Sequence, residues 1–266
     1  MEKSKLSQPV FTVLLGMLAL LQVQTLSAQA YLDFDFAHGT VVKDQYADNF
    51  GVTLSAVSLR PGGIDPNTDA IVFDSERRGT TADADLQRVS TGTVNPNGWD
   101  GGNLGSDYVA GGLLILPEND DFDSVNNVYS DPDDNASGGE FTFSIAAGFS
   151  YTTFSTVIAD FENDGEAWWI QATGRNGKVV MLSYANVTTP GHALYDPTIE
   201  SGDNYINRLK PIDVTDYDLD EIAELKFTLD NSSGAIDAIF FSVPEPSTSL
   251  LSVLGAALVL FQRRRS

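Results

Sequence analysis

Hydrophobic and polar residues alternate with a period of two along most of the middle of the chain. Residues 140–145 place Phe141, Phe143 and Ile145 on one face and polar side chains on the other, and residues 222–229 repeat the pattern. Alternation of this kind is typical of a β-strand with one buried face. No long run of helical period interrupts it, so the middle of the chain is predicted to be built from strands.

The same pattern predicts about ten strands in all. Two short segments between strands, residues 175–177 (Arg-Asn-Gly) and 231–234 (Asn-Ser-Ser-Gly), have the composition of hairpin turns. Strands at this spacing predict an all-β fold, a jelly-roll-like antiparallel β sandwich, in one domain over residues 31–242. The remaining predicted strands lie at residues 32–36, 52–57, 70–73, 109–116, 154–159, 167–172, 179–184 and 235–243.

The beginning of the chain has the three parts of a secretory signal. Two lysines precede a mostly apolar run at residues 10–21, and Ala28 and Ala30 stand at the minus-three and minus-one positions of a cleavage site. Residues 1–30 are therefore predicted to be a cleavable signal peptide. An uncleaved anchor is the alternative, and the shortness of the apolar run disfavours it.

The last 24 residues, 243–266, form a second signal, separate from the domain. Its apolar run at residues 250–261 would make a helix of about 18 Å, too short for a membrane core of about 30 Å. The terminal arginines would hold this end in the cytoplasm while the domain is exported. An ordinary short anchor is the alternative. The defining residues, in order, are Pro244, Glu245 and Pro246 before the run and Arg263, Arg264 and Arg265 after it.

This tail resembles the PEP-CTERM sorting signal, which joins a Pro-Glu-Pro motif, one hydrophobic helix and a basic cluster. The resemblance implies recognition and cleavage by an exosortase, after export through the Sec translocon and removal of the leader by signal peptidase. It also implies transient anchoring in the inner membrane, followed by location at the cell surface or outside the cell. Short segments of the middle, such as Asp33-Phe34-Asp35-Phe36, resemble the β-sandwich ectodomains of such proteins and imply a fold related to jelly-roll carbohydrate-binding modules.

Charge narrows the choice of partners. Residues 31–245 carry 36 acidic and ten basic side chains, a formal charge of -26. Such a surface repels nucleic acid, which is excluded as a partner, and attracts divalent cations. Acidity of this degree also serves solubility alone. The chain has no cysteine, so disulfides and thiolate metal sites are excluded.

Calcium is the cofactor that the acidic residues favour, because it prefers carboxylate and carbonyl oxygens. The acidic segment 118–135 is one candidate region, and a solvated loop is the alternative. The second candidate is a structural calcium site of Asp33, Asp35 and Asp237, since the first and last strands of a sandwich often pair. Asp237 is expected to share a strand face with Ile239 and Phe241; a turn-capping role is its alternative. The resemblance to sugar-binding modules also implies a structural calcium ion near the chain ends.

Aromatic side chains are the candidates for sugar binding. Trp99 lies in a segment rich in Gly, Asn and Pro, while Trp168 and Trp169 must point to opposite faces of one strand. Trp99 and Trp169 are therefore the candidate ligand-binding residues, with exopolysaccharide as the partner. Packing in the core or anchoring of a loop is the alternative for each.

The sequence does not favour an enzyme. It contains no nucleophile elbow, zinc-protease motif, phosphate loop or dinucleotide fingerprint, and only two histidines. The function expected from these observations is a structural or adhesive component of the extracellular matrix. A carbohydrate-binding module is the first alternative, and a glycoside-acting enzyme that uses a pair of carboxylates is the second.

Overall fold

The computed structural model of the protein describes residues 29–60, 63–64, 69–77, 86–87, 99–118, 122–160, 168–200, 202 and 204–242. Residues 1–28 of the predicted signal peptide and the whole predicted sorting signal lie outside the described residues. Short helical segments lie at Ala47–Phe50, Tyr184–Thr188 and, as a 3₁₀ helix, Val214–Tyr217. The strands are β1 (Ala30–Leu32), β2 (Val41–Val42), β3 (Val52–Arg60), β4 (Gly63–Ile64), β5 (Ala70–Asp74), β6 (Gly112–Ile115), β7 (Phe122–Asp123), β8 (Val128–Tyr129), β9 (Gly138–Ile145), β10 (Thr153–Ala159), β11 (Trp168–Gly174), β12 (Val179–Ser183), β13 (Ile206–Arg208), β14 (Ile212–Asp213), β15 (Ile222–Asp230) and β16 (Ala235–Ser242).

The prediction of an all-β fold is confirmed. The described residues form sixteen strands rather than about ten, because strands of two or three residues are too short to show a period. Two of them, β7 and β8, pair with each other inside the segment that was expected to be a loop. Residues 29–242 belong to one compact unit.

One sheet has six strands in the order β12-β11-β15-β9-β3-β4, with antiparallel pairing throughout. Its central strands follow the alternation of the sequence: Phe143 and Phe227 are buried side by side, with ring centroids 5.7 Å apart, while Lys226 and Thr142 pair across the other face. The strands predicted at residues 140–145 and 222–229, with their inward faces, are thereby confirmed. We call the polar side of this sheet its outer face.

The other large sheet has eight strands, and its central strands β5, β6, β10 and β16 are largely buried on both faces. Its main order is β13-β10-β16-β6-β5-β2, with β1 beside β16 and β14 beside β10. Residues 99–111, which we call the covering segment, lie over one face and contribute Trp99 and Ala110 to a cluster with Phe73 and Leu113. On the other side, Phe34 approaches Phe143 of the six-stranded sheet, with ring centroids 6.3 Å apart.

The two predicted hairpin turns have different outcomes. Residues 175–177 join the paired strands β11 and β12, and Gly177 takes a positive φ of 77°, so this hairpin is confirmed. Residues 231–234 join β15 to β16, which belong to different sheets, so the second hairpin is wrong. A turn-rich sequence indicates that the chain reverses, but the partner of the next strand depends on contacts far away in sequence.

Candidate functional site at the paired chain ends

The first and last described strands lie side by side. Strand β1 pairs antiparallel with β16, with Ala30 opposite Phe241 and Tyr31 opposite Phe240. This pairing brings the residues after β1, which include Asp33 and Asp35, toward β16. The expectation that the two ends of the domain meet is confirmed. Ala30, the last residue of the predicted signal peptide, is buried within β1.

Asp237 occupies a β-bulge in β16. On the neighbouring strand β10, the consecutive residues Val157 and Ile158 pair with Ala238 and Ile236, so Asp237 is the extra residue between them. A bulge of this kind redirects a side chain. The expected alternation, which placed Asp237 on the face of Ile239 and Phe241, is therefore wrong at this position.

The carboxylate of Asp237 points instead to the covering segment. The Tyr108 hydroxyl donates a hydrogen bond of 2.7 Å to Asp237 Oδ2, and the Tyr108 ring packs against the cluster that contains Ala235 and Ala238. Asp237 is only 2% exposed. Burial raises the pKa of Asp237 to about 7, and the nearby charges of Asp35 and Asp33 raise it too, although the Tyr108 hydrogen bond and Arg208 act in the opposite direction.

Asp33 and Asp35 are held by different parts of the fold. Asp35 Oδ1 accepts a hydrogen bond of 3.1 Å from the backbone N–H of Gly112, at the start of β6. Asp33 Oδ1 accepts a longer one of 3.4 Å from the Tyr46 hydroxyl. Both carboxylates are close enough to act on the pKa of Asp237. Across the described ranges, however, no three His, Cys, Asp or Glu side chains are arranged so that they could hold a metal ion.

Aromatic rings and one cation line the surface beside this buried carboxylate. The rings of Tyr31 and Phe240 stack with centroids 4.7 Å apart, and the Arg208 guanidinium carbon lies 5.1 Å from the centroid of the Phe240 ring. A shallow pocket of about 210 Å³ adjoins them and is lined by both Tyr31 and Pro211. Arg208 is the nearby positive charge that lowers the pKa of Asp237.

Trp99 is a core residue, and its predicted role as an exposed sugar-binding platform is wrong. It is only 2% exposed, and its indole Nε1 donates a hydrogen bond of 3.0 Å to the backbone carbonyl of Tyr108. Its ring lies beneath the covering segment, where no ligand can stack on it. The composition of its segment indicated a loop, but whether that loop is open or packed on a sheet depends on tertiary contacts.

Trp169 has the position expected of an accessible aromatic side chain. Trp168 is buried, and its neighbour Trp169 is partly buried on the outer face of the six-stranded sheet. The prediction that the two side chains point to opposite faces of the strand is therefore confirmed. In the register, Trp169 lies between Ser183 of β12 and Thr228 of β15. The neighbouring positions on this face are mainly polar or charged: Gln171, Thr173, Val179, Met181, Glu224 and Lys226.

Sequence reasoning did not identify Tyr108 and Arg208 as the two partners of Asp237 that oppose its raised pKa. Tyr108 is distant from Asp237 along the chain, and Arg208 belongs to a strand of three residues that shows no period. A buried carboxylate requires a donor, which was a signal that some hydroxyl or cation should be nearby. Nothing in the pattern identified which one.

No protein-family model matches this chain, and no match was found among curated proteins. Within the part of the chain that the structure describes, no helix has the length and apolar character needed to cross a membrane.

Proposed function

We propose that this protein is an exported, surface-sorted structural or adhesive component of the extracellular matrix, processed by an exosortase. The observation that carries the proposal is the order of features in residues 243–266: Pro244-Glu245-Pro246, a short apolar run and three terminal arginines. The signal-like residues 1–30 support export of everything between the two ends. The role proposed for the domain itself is binding and assembly rather than catalysis.

The proposed architecture is a signal peptide, a jelly-roll-related β sandwich over residues 31–242 and the sorting tail. The contact of Phe34, which follows β1 of the eight-stranded sheet, with Phe143 of the six-stranded sheet supports a sandwich. The pairing of β1 with β16 supports a domain whose two ends leave from neighbouring strands. Such a domain can be exported from its N-terminal end and held at its C-terminal end during processing.

The sorting proposal predicts a change of location when the motif is removed. Replacing Pro244, Glu245 and Pro246 together with alanine should leave the tail attached and the protein in the inner membrane. The wild-type protein should lose its tail and appear at the cell surface or in the medium. Intact mass spectrometry of each cell fraction measures both results. If the wild type also keeps its tail in the inner membrane, the protein is a simple anchored protein and the proposal fails.

Carbohydrate binding is the second candidate function, and the position of Trp169 favours it. A partly exposed indole among polar side chains offers an apolar surface for a sugar ring and hydrogen-bonding groups around it. An exopolysaccharide of the matrix is the proposed ligand. This function is compatible with an adhesive role, and it requires the outer face of the six-stranded sheet to be accessible.

The carbohydrate candidate predicts that Trp169→Ala weakens binding to the glycans that the wild type retains on an array by about tenfold or more. Tyr31→Ala is the matched control, because Tyr31 is a 46% exposed aromatic residue on the other large sheet. Equal binding by the wild type and both variants would show that the glycan contacts another surface. Absence of any reproducible binding would leave the matrix role without a sugar ligand.

Structural calcium remains part of the proposal as a prediction from the sequence and from the resemblance. The negative charges of Asp33 and Asp35 raise the pKa of the buried Asp237, which supports a requirement for positive charge beside this carboxylate. Among the described residues, these carboxylates do not form a group of three acidic or His side chains that could hold an ion. Protonation of Asp237 would remove the same negative charge. The pH dependence of stability, measured with and without Ca²⁺, distinguishes protonation of Asp237 from calcium binding.

A further inference from the structure

The sheet edges of this protein differ in how well they are protected against pairing with another strand. Strands β2 and β4, at two of the edges, have two residues each, and β4 pairs with β3 only at Leu59 and Arg60. Earlier along this side of β3, the Leu54 N–H donates to the Lys43 carbonyl. A third edge consists of the short strands β13 and β14, between which Lys210 and Pro211 interrupt the pairing. Very short strands, lysine and proline are the usual means by which natural proteins keep an edge from extending its sheet.

Strand β12, at the fourth edge, has none of these features. Its five residues, Val-Val-Met-Leu-Ser, include no charge and no proline, and its pairing with β11 runs through all five positions without a register shift. Two of its apolar side chains face solvent, Val179 at 51% and Met181 at 49% exposure. An exposed, regular and apolar edge strand is an attractive partner for another strand.

The backbone of β12 has hydrogen-bonding groups directed away from β11. Lys178 O accepts from Gly174 N, on the β11 side, whereas the Ser183 N–H bonds to the Asn186 side chain instead. Because alternate residues of a strand direct their backbone groups to opposite sides, Val179 and Met181 point theirs the same way as Ser183. In the described part of the chain, β12 pairs with no strand other than β11.

The charge around β12 permits a second acidic molecule to approach. Residues 167–195 contain no Asp or Glu, although residues 31–245 carry 36 of them, about one in every six positions. The charged side chains in this stretch are those of Arg175 and Lys178. Two acidic groups from other segments lie nearby, since Asp218 pairs with Lys178 at 3.5 Å and Glu224 stands in register with Thr173 and Val179. Repulsion between two copies of a highly acidic protein is therefore reduced, but not absent, where β12 lies.

We propose that β12 pairs antiparallel with β12 of a second copy of this chain, about a twofold axis at Met181. This self-association goes beyond the surface role proposed above and does not depend on sorting. The twofold arrangement places Val179 opposite Ser183 and Val180 opposite Leu182, so no like charges meet within the strand. The two Met181 residues exchange N–H to C=O hydrogen bonds, and each Val179 N–H donates to a Ser183 carbonyl of the other copy. The two six-stranded sheets then become one continuous sheet.

Sedimentation velocity of the full chain in a non-ionic detergent tests the association. The wild type should form dimers, and Met181→Lys should raise the dimer dissociation constant about 100-fold or more, because it places two ammonium groups side by side at the axis. Val125→Lys is the matched control, since Val125 is 89% exposed on another part of the molecule and the variant has the same change of charge. An unchanged melting temperature in Met181→Lys shows that its fold is intact. A wild type that stays monomeric, or a Met181→Lys variant that still dimerises, overturns the proposal.

Cysteine cross-linking tests the register, and the absence of native cysteine makes it specific. Met181→Cys should form a disulfide-linked dimer under a mild oxidant, because the two residues at the axis lie within disulfide range. Val179→Cys should give at least about tenfold less, since its opposite residue is Ser183 and the two thiols would be about 13 Å apart. Equal cross-linking by the two variants, or by Val125→Cys, would place any contact between copies elsewhere and overturn the proposal.

Discussion

Replacing Trp99 with alanine is expected to lower the free energy of unfolding by about 3–5 kcal/mol. The indole is 2% exposed and packs in the cluster that joins the covering segment to the eight-stranded sheet. Its removal leaves a large cavity, and it also leaves the Tyr108 carbonyl without its hydrogen bond from Nε1. Because the Tyr108 hydroxyl is hydrogen-bonded to Asp237, we expect the substitution also to weaken the contacts at the paired chain ends. Urea unfolding followed by tyrosine and tryptophan fluorescence measures the change.

Trp169→Ala is the matched control for this substitution. It removes the same side chain from the outer face of the six-stranded sheet, where the ring is only partly buried. We expect a smaller loss, about 1–2 kcal/mol, since part of the ring faces solvent there. Equal losses in the two variants would contradict the description of Trp99 as a core residue and of Trp169 as a surface residue.

The stability of the protein is expected to fall between about pH 4 and pH 7 through the titration of Asp237. The pKa of this carboxyl in the folded protein is raised from 3.8 to about 7, mainly by burial. The folded state therefore retains a proton that the unfolded chain releases, and stability decreases as the pH rises through this window. The whole shift corresponds to about 4 kcal/mol, fully present below the unfolded pKa and lost above the folded one.

Asp237→Asn should remove this contribution to the pH dependence, because an amide accepts the Tyr108 hydrogen bond without becoming charged. At pH 8 the variant should be more stable than the wild type by about 4 kcal/mol, and near pH 4 the two should converge. Asp218→Asn is the control: it removes a carboxylate that is 85% exposed in its side chain, at a backbone position that asparagine tolerates. Parallel pH profiles for wild type and Asp237→Asn would contradict the buried, protonated carboxyl.

The pH dependence of stability also distinguishes protonation of Asp237 from calcium binding. A bound cation would stabilise the charged form of Asp237 and lower its pKa. Adding Ca²⁺ at pH 8 to about 1 mM, within the range where extracellular modules bind it, should raise the stability of the wild type and not of Asp237→Asn if the sequence prediction of a calcium site holds. No difference between the two proteins would remove calcium from the proposal.

Individual residues show which features of the fold and of the site could be predicted from the sequence. Phe141, Phe143, Leu225 and Phe227 were predicted to be inward-facing, and all four are buried, because alternation depends only on neighbours along the chain. The site was predicted in part: the two chain ends meet as expected, but Asp237 turns to Tyr108. A bulge arises when a strand must fit two neighbours at once, which no local pattern encodes.

The sequence by itself determined the strand-forming alternation, the acidity of the domain and the order of features in the two end segments. These properties depend on residue type and on spacing of a few positions. Only the tertiary structure decided that Trp99 lies under a covering segment, that Asp237 is buried beside Tyr108, and that β12 is left at an edge. Each of these outcomes depends on which distant strands and segments come together. The free energy that selects them comes from burying surfaces far apart in sequence, and local patterns do not record it.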